Sequence, residues 1–374
     1  MQLRALLVVA PFALLCATSA TLASQINTGD ATGAYHSSLC PRLEAQLKQA
    51  RFVHTCETSE GTGENLRRVV ADPRQIGYGQ LDILSLDGGL APGSPVAILR
   101  NDDVRECLFA VTRNKDVQAW GDIAVSAPNL RFILPPEQSG SAGTFRYLRH
   151  IDTDGLGRAR DIRYASTTDE AIRQTLSADD TVTLFVQVPD PDNTRFRLVG
   201  ELGGHFVPVI DRTILRPQVN GQKIYFAQET QVANATWTSG GLTVVTACTP
   251  LTVFTGAVER ISGDKARQEH QDLIATVRAL KPEDLLPAET TFARFLKRTK
   301  ELSAVSAERL LKLSEDARTQ AGPLIERAKD ASERALDAAK PTLGRAKELG
   351  QQVLERAKEE ARDLMEKTKP EPKN

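Results

Sequence analysis

The sequence predicts an α/β fold built on parallel sheet, followed by a purely helical C-terminal segment. Two observations carry this. Between residues 25 and about 180, short apolar runs alternate with stretches whose apolar residues recur every three or four positions. That is the pattern of strands joined by helical crossovers. Long apolar and β-branched runs then stop near residue 262, and the chain beyond is Ala, Leu, Glu, Lys and Arg with very few aromatics.

The first residues read as an export signal. Arg4 is a short positive region and residues 5–15 are an apolar core. Ala20 and Ala23 place small residues at a cleavage position, with Thr18 or Thr21 two positions earlier. The apolar stretch is short of the ~20 residues that a membrane span needs. Leu15 before Cys16 is bulky where a lipoprotein signal takes a small residue. The expected location is the periplasm, reached through a cleaved signal over residues 1–23. The mature chain keeps Cys40, Cys56, Cys107 and Cys248. An even number in an oxidising compartment permits two disulfides, and spacing does not choose among the three connectivities. The bland alternative is that some are small buried hydrophobes. No Cys/His cluster has zinc spacing, so no metal or other cofactor is expected.

The elements follow in order. Phe52-Val53, residues 76–78 and residues 107–111 read as strands. Leu39, Leu43 and Leu47 share one helical face, as do Leu66, Val69 and Val70 after Asn65. Residues 167–170 are a T-x-x-E capping box with Ala171, Ile172 and Leu176 behind it. Residues 181–188 alternate as a strand and run into the rigid turn Pro189-Asp190-Pro191. Residues 206–210 and 242–246 are further strands, late enough for the chain to return to its first half. The segment 264–370 has no β-rich run. Within it, residues 333–365 are three tandem 11-residue units, ERALDAAKPTL, GRAKELGQQVL and ERAKEEARDLM. An 11-residue period keeps one stripe aligned along a helix. The stripe is mostly Ala and its flanking charges are nearly balanced, which suits charge-laced solvated helices. A peripheral membrane or helix partner is the sharper alternative.

The 374 residues suffice for two lobes and an appendage, and the net charge of -1 offers no basic field for nucleic acid. Three clusters carry binding chemistry. TGAYHSS, residues 32–38, precedes a helix, so its amides and hydroxyls suit an anion, while Tyr35 and His36 add a ring face and a polar tip. TSEGTGENL, residues 58–66, joins a strand to the next helix through Gly61 and Gly63. It is not a P-loop, because no GK[ST] follows. PPEQSGSAGTFRYL, residues 135–148, again places hydroxyls and glycines at a helix start. Each also reads as an ordinary capped turn. No GxSxG, HExxH or dinucleotide fingerprint is present, so an enzyme is not expected. The five histidines are scattered. Asp190 and Asp192 fit a turn better than a cation site.

The order of these clusters resembles the TAXI family, the TRAP-associated extracytoplasmic solute receptors, over residues 25 to about 260. The matching motifs are TGAYHSS, SEGTGENL, ADPRQIGYGQLDIL, PPEQSGSAGTF and DDTVTLFVQVPDPD. The resemblance implies a two-lobed type II periplasmic-binding-protein fold with two crossover segments. Lobe 1 would take residues 24–112 and 212–262, lobe 2 residues 113–211, and the helical tail residues 263–374. It implies ligand contacts from Gly33, Tyr35 and His36, from Glu60, Gly61, Thr62 and Asn65, and from Gln80. Lobe 2 would add Gln138, Ser139, Ser141, Gly143 and Thr144, with Gln187 and Pro189. It also implies the disulfides Cys40–Cys56 and Cys107–Cys248. The implied function is capture of a small, carboxylated organic solute for TRAP membrane subunits. The sequence departs from the family at His36, where a second aromatic is usual, in the stretched GSAGT, in the short opening strand and in the tail. The competing reading is an envelope structural protein, with a degenerate binding-protein scaffold and a tail that binds lipid or a partner helix.

Overall fold

Helical spacing of apolar residues and strand alternation become buried faces in the computed structural model of the chain, which describes residues 23–91, 93–234, 241–286, 300–301 and 308–319. The expected export signal, apart from Ala23, and the 11-residue repeats lie outside these residues. In chain order the elements are β1 (Ser24–Asn27), α1 (Cys40–Gln49), β2 (His54–Glu57), α2 (Thr62–Ala71), β3 (Ile76–Gln80), α3 (Leu81–Leu86), β4 (Val96–Thr112), α4 (Trp120–Ser126), β5 (Arg131–Leu134), α5 (Gly140–Ile151), β6 (Asp161–Tyr164), α6 (Thr168–Thr175), β7 (Thr181–Gln187), α7 (Thr194–Glu201), β8 (His205–Val207), α8 (Arg212–Leu215), β9 (Gln218–Val219), β10 (Gln222–Lys223), β11 (Phe226–Ala233), β12 (Leu242–Gly256), α9 (Asp264–Ala279), α10 (Pro282–Leu285) and α11, residues 308–319. Among the described residues no helix is long and apolar enough to cross a membrane.

The chain divides into two units. Unit 1 holds Met1–Glu106, Gln138–Gly143 and Thr249–Arg298, and unit 2 holds Cys107–Glu137, Thr144–Cys248 and Thr299–Asn374. Three sequence-based assignments change as a result. Residues 138–143, expected in the second lobe, belong with unit 1. Residues 212–248, expected to return to the first lobe, belong with unit 2. The segment after 263, expected as an appendage, starts with a helix that is an integral part of unit 1.

Unit 1 has the strand order β2-β1-β3-β12-β4. β1 is parallel to β2 and β3, while β12 runs antiparallel between β3 and β4. Parallel neighbours require crossovers, which α1 and α2 supply. Leu43 and Leu47 of α1, Val69 of α2, and Ile26 and Ile76 of the strands are fully buried. β3 carries Gly77 and Gly79 because the Phe254 ring of β12 lies over them. A Cβ on Gly77 would stand 2.5 Å from Phe254 Cζ. The expected strand at Phe52-Val53 starts later, at His54. Phe52 N still bonds Leu47 O at 2.9 Å, closing α1, and Val53 is left 63% exposed. α9 packs through Leu273, Ile274 and Val277. His270 Nε2 bonds Gly256 O at 2.9 Å, and Arg278 Nη2 donates to Ile98 O at 2.8 Å.

In unit 2, β5 is parallel to both β6 and β7. Residues 107–111 of β4 pair antiparallel with β7, and β8 pairs with β4. Phe109, Phe185 and Phe196 form the centre of its core, with ring centroids 4.7 Å apart for Phe109 and Phe196. Thr167 caps α6 as its sequence predicts, accepting from Glu170 N at 3.1 Å. Glu170 turns instead to Gln174, so only half of the capping box forms.

Both disulfides join the cysteines that the resemblance paired. Cys40 bonds Cys56, and Cys107 bonds Cys248 across adjacent antiparallel strands. Non-reducing peptide mapping of the oxidised protein is expected to recover these two pairs and no other. Replacing Cys107 and Cys248 together by Ala is expected to lower unfolding free energy by about 2–5 kcal/mol, because the free chain then regains a long loop. An unchanged urea midpoint would refute that contribution.

Burial holds the His54 imidazole below its ordinary value of 6.5. The unfolded chain then takes up the proton more readily than the folded one. Stability from this group is complete above pH 6.5 and falls as pH drops below it. Melting temperatures from pH 8 to pH 5 are expected to decline in the wild type, and His54→Gln to flatten that decline. An identical slope in the variant would exclude His54 as its source.

Candidate functional site

In an open α/β sheet, ligands bind beyond the carboxyl ends of parallel strands, where the chain order reverses. In unit 1 that point lies between β1 and β3. Three segments leave it: Thr28 after β1, Glu57 at the end of β2, and Gln80 at the end of β3.

Thr28 Oγ1 donates to Glu57 O at 2.8 Å and lies 3.1 Å from His36 Nδ1. A hydroxyl has one proton, already given to Glu57, so His36 carries its proton on Nδ1 and donates it to Thr28. Asn65 Nδ2 donates to Thr28 O at 2.7 Å and to Tyr78 O at 2.8 Å. Both amide protons are thereby spent tying two strand ends together. Thr62 Oγ1 accepts from Gln80 N at 3.2 Å, fixing the start of α2 to the end of β3.

Behind these lies a buried acid cluster. The Tyr35 hydroxyl donates to Glu106 Oε2, and its ring stacks on Tyr78 with centroids 5.5 Å apart. Gln80 also hydrogen-bonds Glu106. Asp82 and Glu106 are both buried. Burial, reinforced by the Asp82 charge, pushes the Glu106 carboxyl up to about 7 against the hydrogen bonds from Tyr35 and Gln80. Burial and then Glu106 hold the Tyr35 phenol well above its ordinary range. Near neutral pH, Glu106 therefore passes between a carboxylate and a neutral acid able to donate a hydrogen bond.

The helix starts are already partly occupied by their own chain. Glu60 N donates to Glu64 Oε2 at 2.7 Å, and Gly61 N to Ser59 Oγ at 3.2 Å. Ser139 Oγ accepts from Ala142 N at 3.3 Å, capping α5. Arg146 of α5 donates to Glu137 O at 3.1 Å, in the loop just before the helix. The segment 138–140 lies directly against the α2 start and β3. A Cβ on Gly61 would stand 3.1 Å from Gln138 O and from Gly140 N, and one on Gly140 would stand 2.5 Å from Gln80 Oε1.

From the sequence-based set, unit 1 brings Tyr35, His36, Gly61, Thr62, Asn65, Gln80, Gln138 and Ser139 near one another, while Ser141 and Gly143 share the unit. Glu60 is exposed, and Gly33 closes the turn before Tyr35, accepting from Ser37 N at 3.0 Å. Thr144, Gln187 and Pro189 belong to unit 2. There Gln187 Oε1 accepts from Arg195 Nη1 at 3.2 Å, and Arg195 also holds Asp169 at 2.8 Å. Asp190 Oδ1 accepts from Asp192 N at 3.0 Å, the turn role expected of it. Thr28, Asp82 and Glu106 were not singled out from the sequence. The available signal for Glu106 was a lone acid before the apolar run of residues 107–111. Among the described residues no group of three or more His, Cys, Asp or Glu is placed to hold a metal ion.

No protein-family profile matches the chain, and no curated protein matches it in sequence. Several solved structures are similar in backbone trace. An ABC-type phosphate transport receptor from Vibrio cholerae is 8% identical, and the match covers 71% of this chain and 96% of that one at a TM-score of 0.41. The binding protein component of an ABC phosphonate transporter from Pseudomonas aeruginosa is 11% identical, with 82% and 99% covered at 0.37. A periplasmic transporter is 8% identical, with 83% and 98% covered at 0.39.

Glu106→Gln keeps an acceptor for Tyr35 and removes the titration. In the wild type the folded state holds this proton more firmly than the unfolded chain does. Stability from it is full below the ordinary value of 4.5 and is lost as pH rises through about 7. Urea unfolding is expected to show the variant more stable than wild type at pH 8, by up to about 3 kcal/mol, with the gap closing near pH 4. A gap that is constant with pH would contradict the raised carboxyl.

Proposed function

We propose that the chain is a periplasmic solute-binding protein that captures a small, carboxylated organic solute and presents it to membrane subunits of a TRAP-type transporter. The observation that carries this reading is the polar cluster of Tyr35, Thr62, Gln80 and Glu106 at the carboxyl ends of the unit 1 strands, at the switch point where α/β sheets bind ligands. Aromatic faces, hydroxyls and amides converge there, and no nucleophile–base pair was read from the sequence or built by these residues. Glu106 gives the reading a chemical rule. Protonated, it donates a hydrogen bond to a solute carboxylate. Ionised, it repels one. Export through the N-terminal signal puts the protein where such a solute is met.

A second reading is favoured by one observation. Polar groups of the loops at residues 58–66 and 135–148 are spent within their own loop and helix start, as a scaffold that no longer takes a solute would have them. The chain would then be an envelope interaction protein acting through its C-terminal segment, by way of lipid or a partner helix.

A thermal-shift screen of organic acids at pH 6 and pH 8 separates the two. The solute-binding reading expects at least one acid to stabilise the protein, by ~2.7 kcal/mol at 100 times its dissociation constant. It expects weaker binding at pH 8 than at pH 6 and the loss of that difference in Glu106→Gln. No stabilisation by any acid at either pH would favour the scaffold reading.

A further inference from the structure

α11 meets the rest of unit 2 through a buried charged clasp. Arg318 lies between two buried carboxylates, Asp152 just after α5 and Asp211 at the cap of α8, which are 4% and 3% exposed. Its Nη2 and Nη1 reach the two oxygens of Asp152 at 2.9 and 3.3 Å, and its Nε reaches Asp211 Oδ2 at 2.9 Å. Ser314 Oγ donates to the same Asp211 oxygen at 2.8 Å. Backbone groups meet the carboxylates as well, Leu156 N at 3.2 Å on Asp152 and Thr213 N at 2.8 Å on Asp211. The helix backbone rests on α4, where a Cβ on Gly121 would stand 2.2 Å from Ser314 O.

Among the described residues, the other contacts of the helix are exposed ion pairs and half-buried apolar residues, with Ala317 against Gly121 of α4. Arg212 pairs with Glu308 and Glu315, both at 2.6 Å, but these pairs are exposed and contribute little. Leu310 and Leu311 are half-buried and Leu313 is 54% exposed. The buried residue of the helix, Ser314, is polar. Packing of an apolar face normally supplies most of the stability of a helix in a folded protein. Here a guanidinium in a low-dielectric clasp takes that place. Removing it leaves two carboxylates buried without their cation, a cost that water relieves only by entering under the helix.

We infer that Asp152 and Asp211 form a guanidinium-reading docking site on unit 2, and that α11 is a latch seated there in cis by Arg318. The site reads the shape of the group as well as its charge, because the planar fork meets Asp152 with two nitrogens while Nε turns to Asp211. An ammonium ion has no planar fork pre-organised for these three contacts. With the latch closed, the chain beyond residue 319 starts from a fixed point on unit 2. With it open, the two carboxylates accept an arginine from elsewhere.

Hydrogen exchange on the full-length protein tests this. In Arg318→Lys and Arg318→Met, exchange across residues 308–319 is expected to accelerate by about tenfold or more while β5 and β7 keep their protection. Free arginine added to the wild type is expected to open the same residues more than lysine at equal concentration. Retained protection in Arg318→Met would mean that apolar contacts hold the helix, and the latch would fall. Equal loss of protection across β5, β7 and α11 would make Arg318 a core keystone rather than a latch. Lysine acting as strongly as arginine would overturn the guanidinium assignment.

Discussion

Unit 1 cannot close its sheet until β12 arrives from far along the chain. β3 and β4 have no direct pairing. Each bonds to opposite sides of β12, whose Phe254 ring fills the space left by Gly77 and Gly79. The same strand carries Thr255, whose hydroxyl donates to Gln75 O at 2.7 Å, and ends at Gly256, the acceptor for His270 of α9. The fit of one ring over two glycines therefore places β3 and, through it, Gln80 and Asp82. Any side chain at Gly77 would push β12 outward and loosen the acid cluster without touching it.

That cluster shows how a low-dielectric site sets its own charge. Tyr35 and Gln80 supply hydrogen bonds that favour ionised Glu106, and burial beside Asp82 opposes them more strongly. The balance falls near neutrality, where the group is most responsive to its surroundings. The clasp in unit 2 resolves the same problem differently. There two buried acids share one guanidinium. The two units thus contain contrasting answers to buried carboxylates, one by protonation and one by pairing.

The local pattern made the α/β alternation, the helical faces of Leu43 and Leu47, the Thr167 cap and the Asp190 turn readable, because each depends on residues within a few positions of one another. The cysteine pairing came only from the order of motifs, since spacing left three connectivities open. What escaped depends on distance along the chain. Glu106 meets Tyr35 across 71 positions, and nothing near either residue announces the other. Ser139 and Asn65 are polar residues at helix starts, where capping and ligand contact need the same groups. The geometry shows caps and ties. α9 read as part of a charged tail because its apolar stripe, Leu273, Ile274 and Val277, is short and surrounded by charge.

The two disulfides have a simple pattern when read as an order of events. Cys40 and Cys56 are the first two of the four cysteines beyond residue 23, and Cys107 and Cys248 are the last two. Every bond joins sequential neighbours. A chain threaded out N-terminus first meets its oxidant with Cys40 and Cys56 present before the later pair. An oxidant that joins cysteines as they appear builds the native set directly, with no wrong bond to be attacked and exchanged. Biogenesis then needs a source of oxidising equivalents but no isomerase. On such a route Cys107 stays a free thiol until residue 248 follows it.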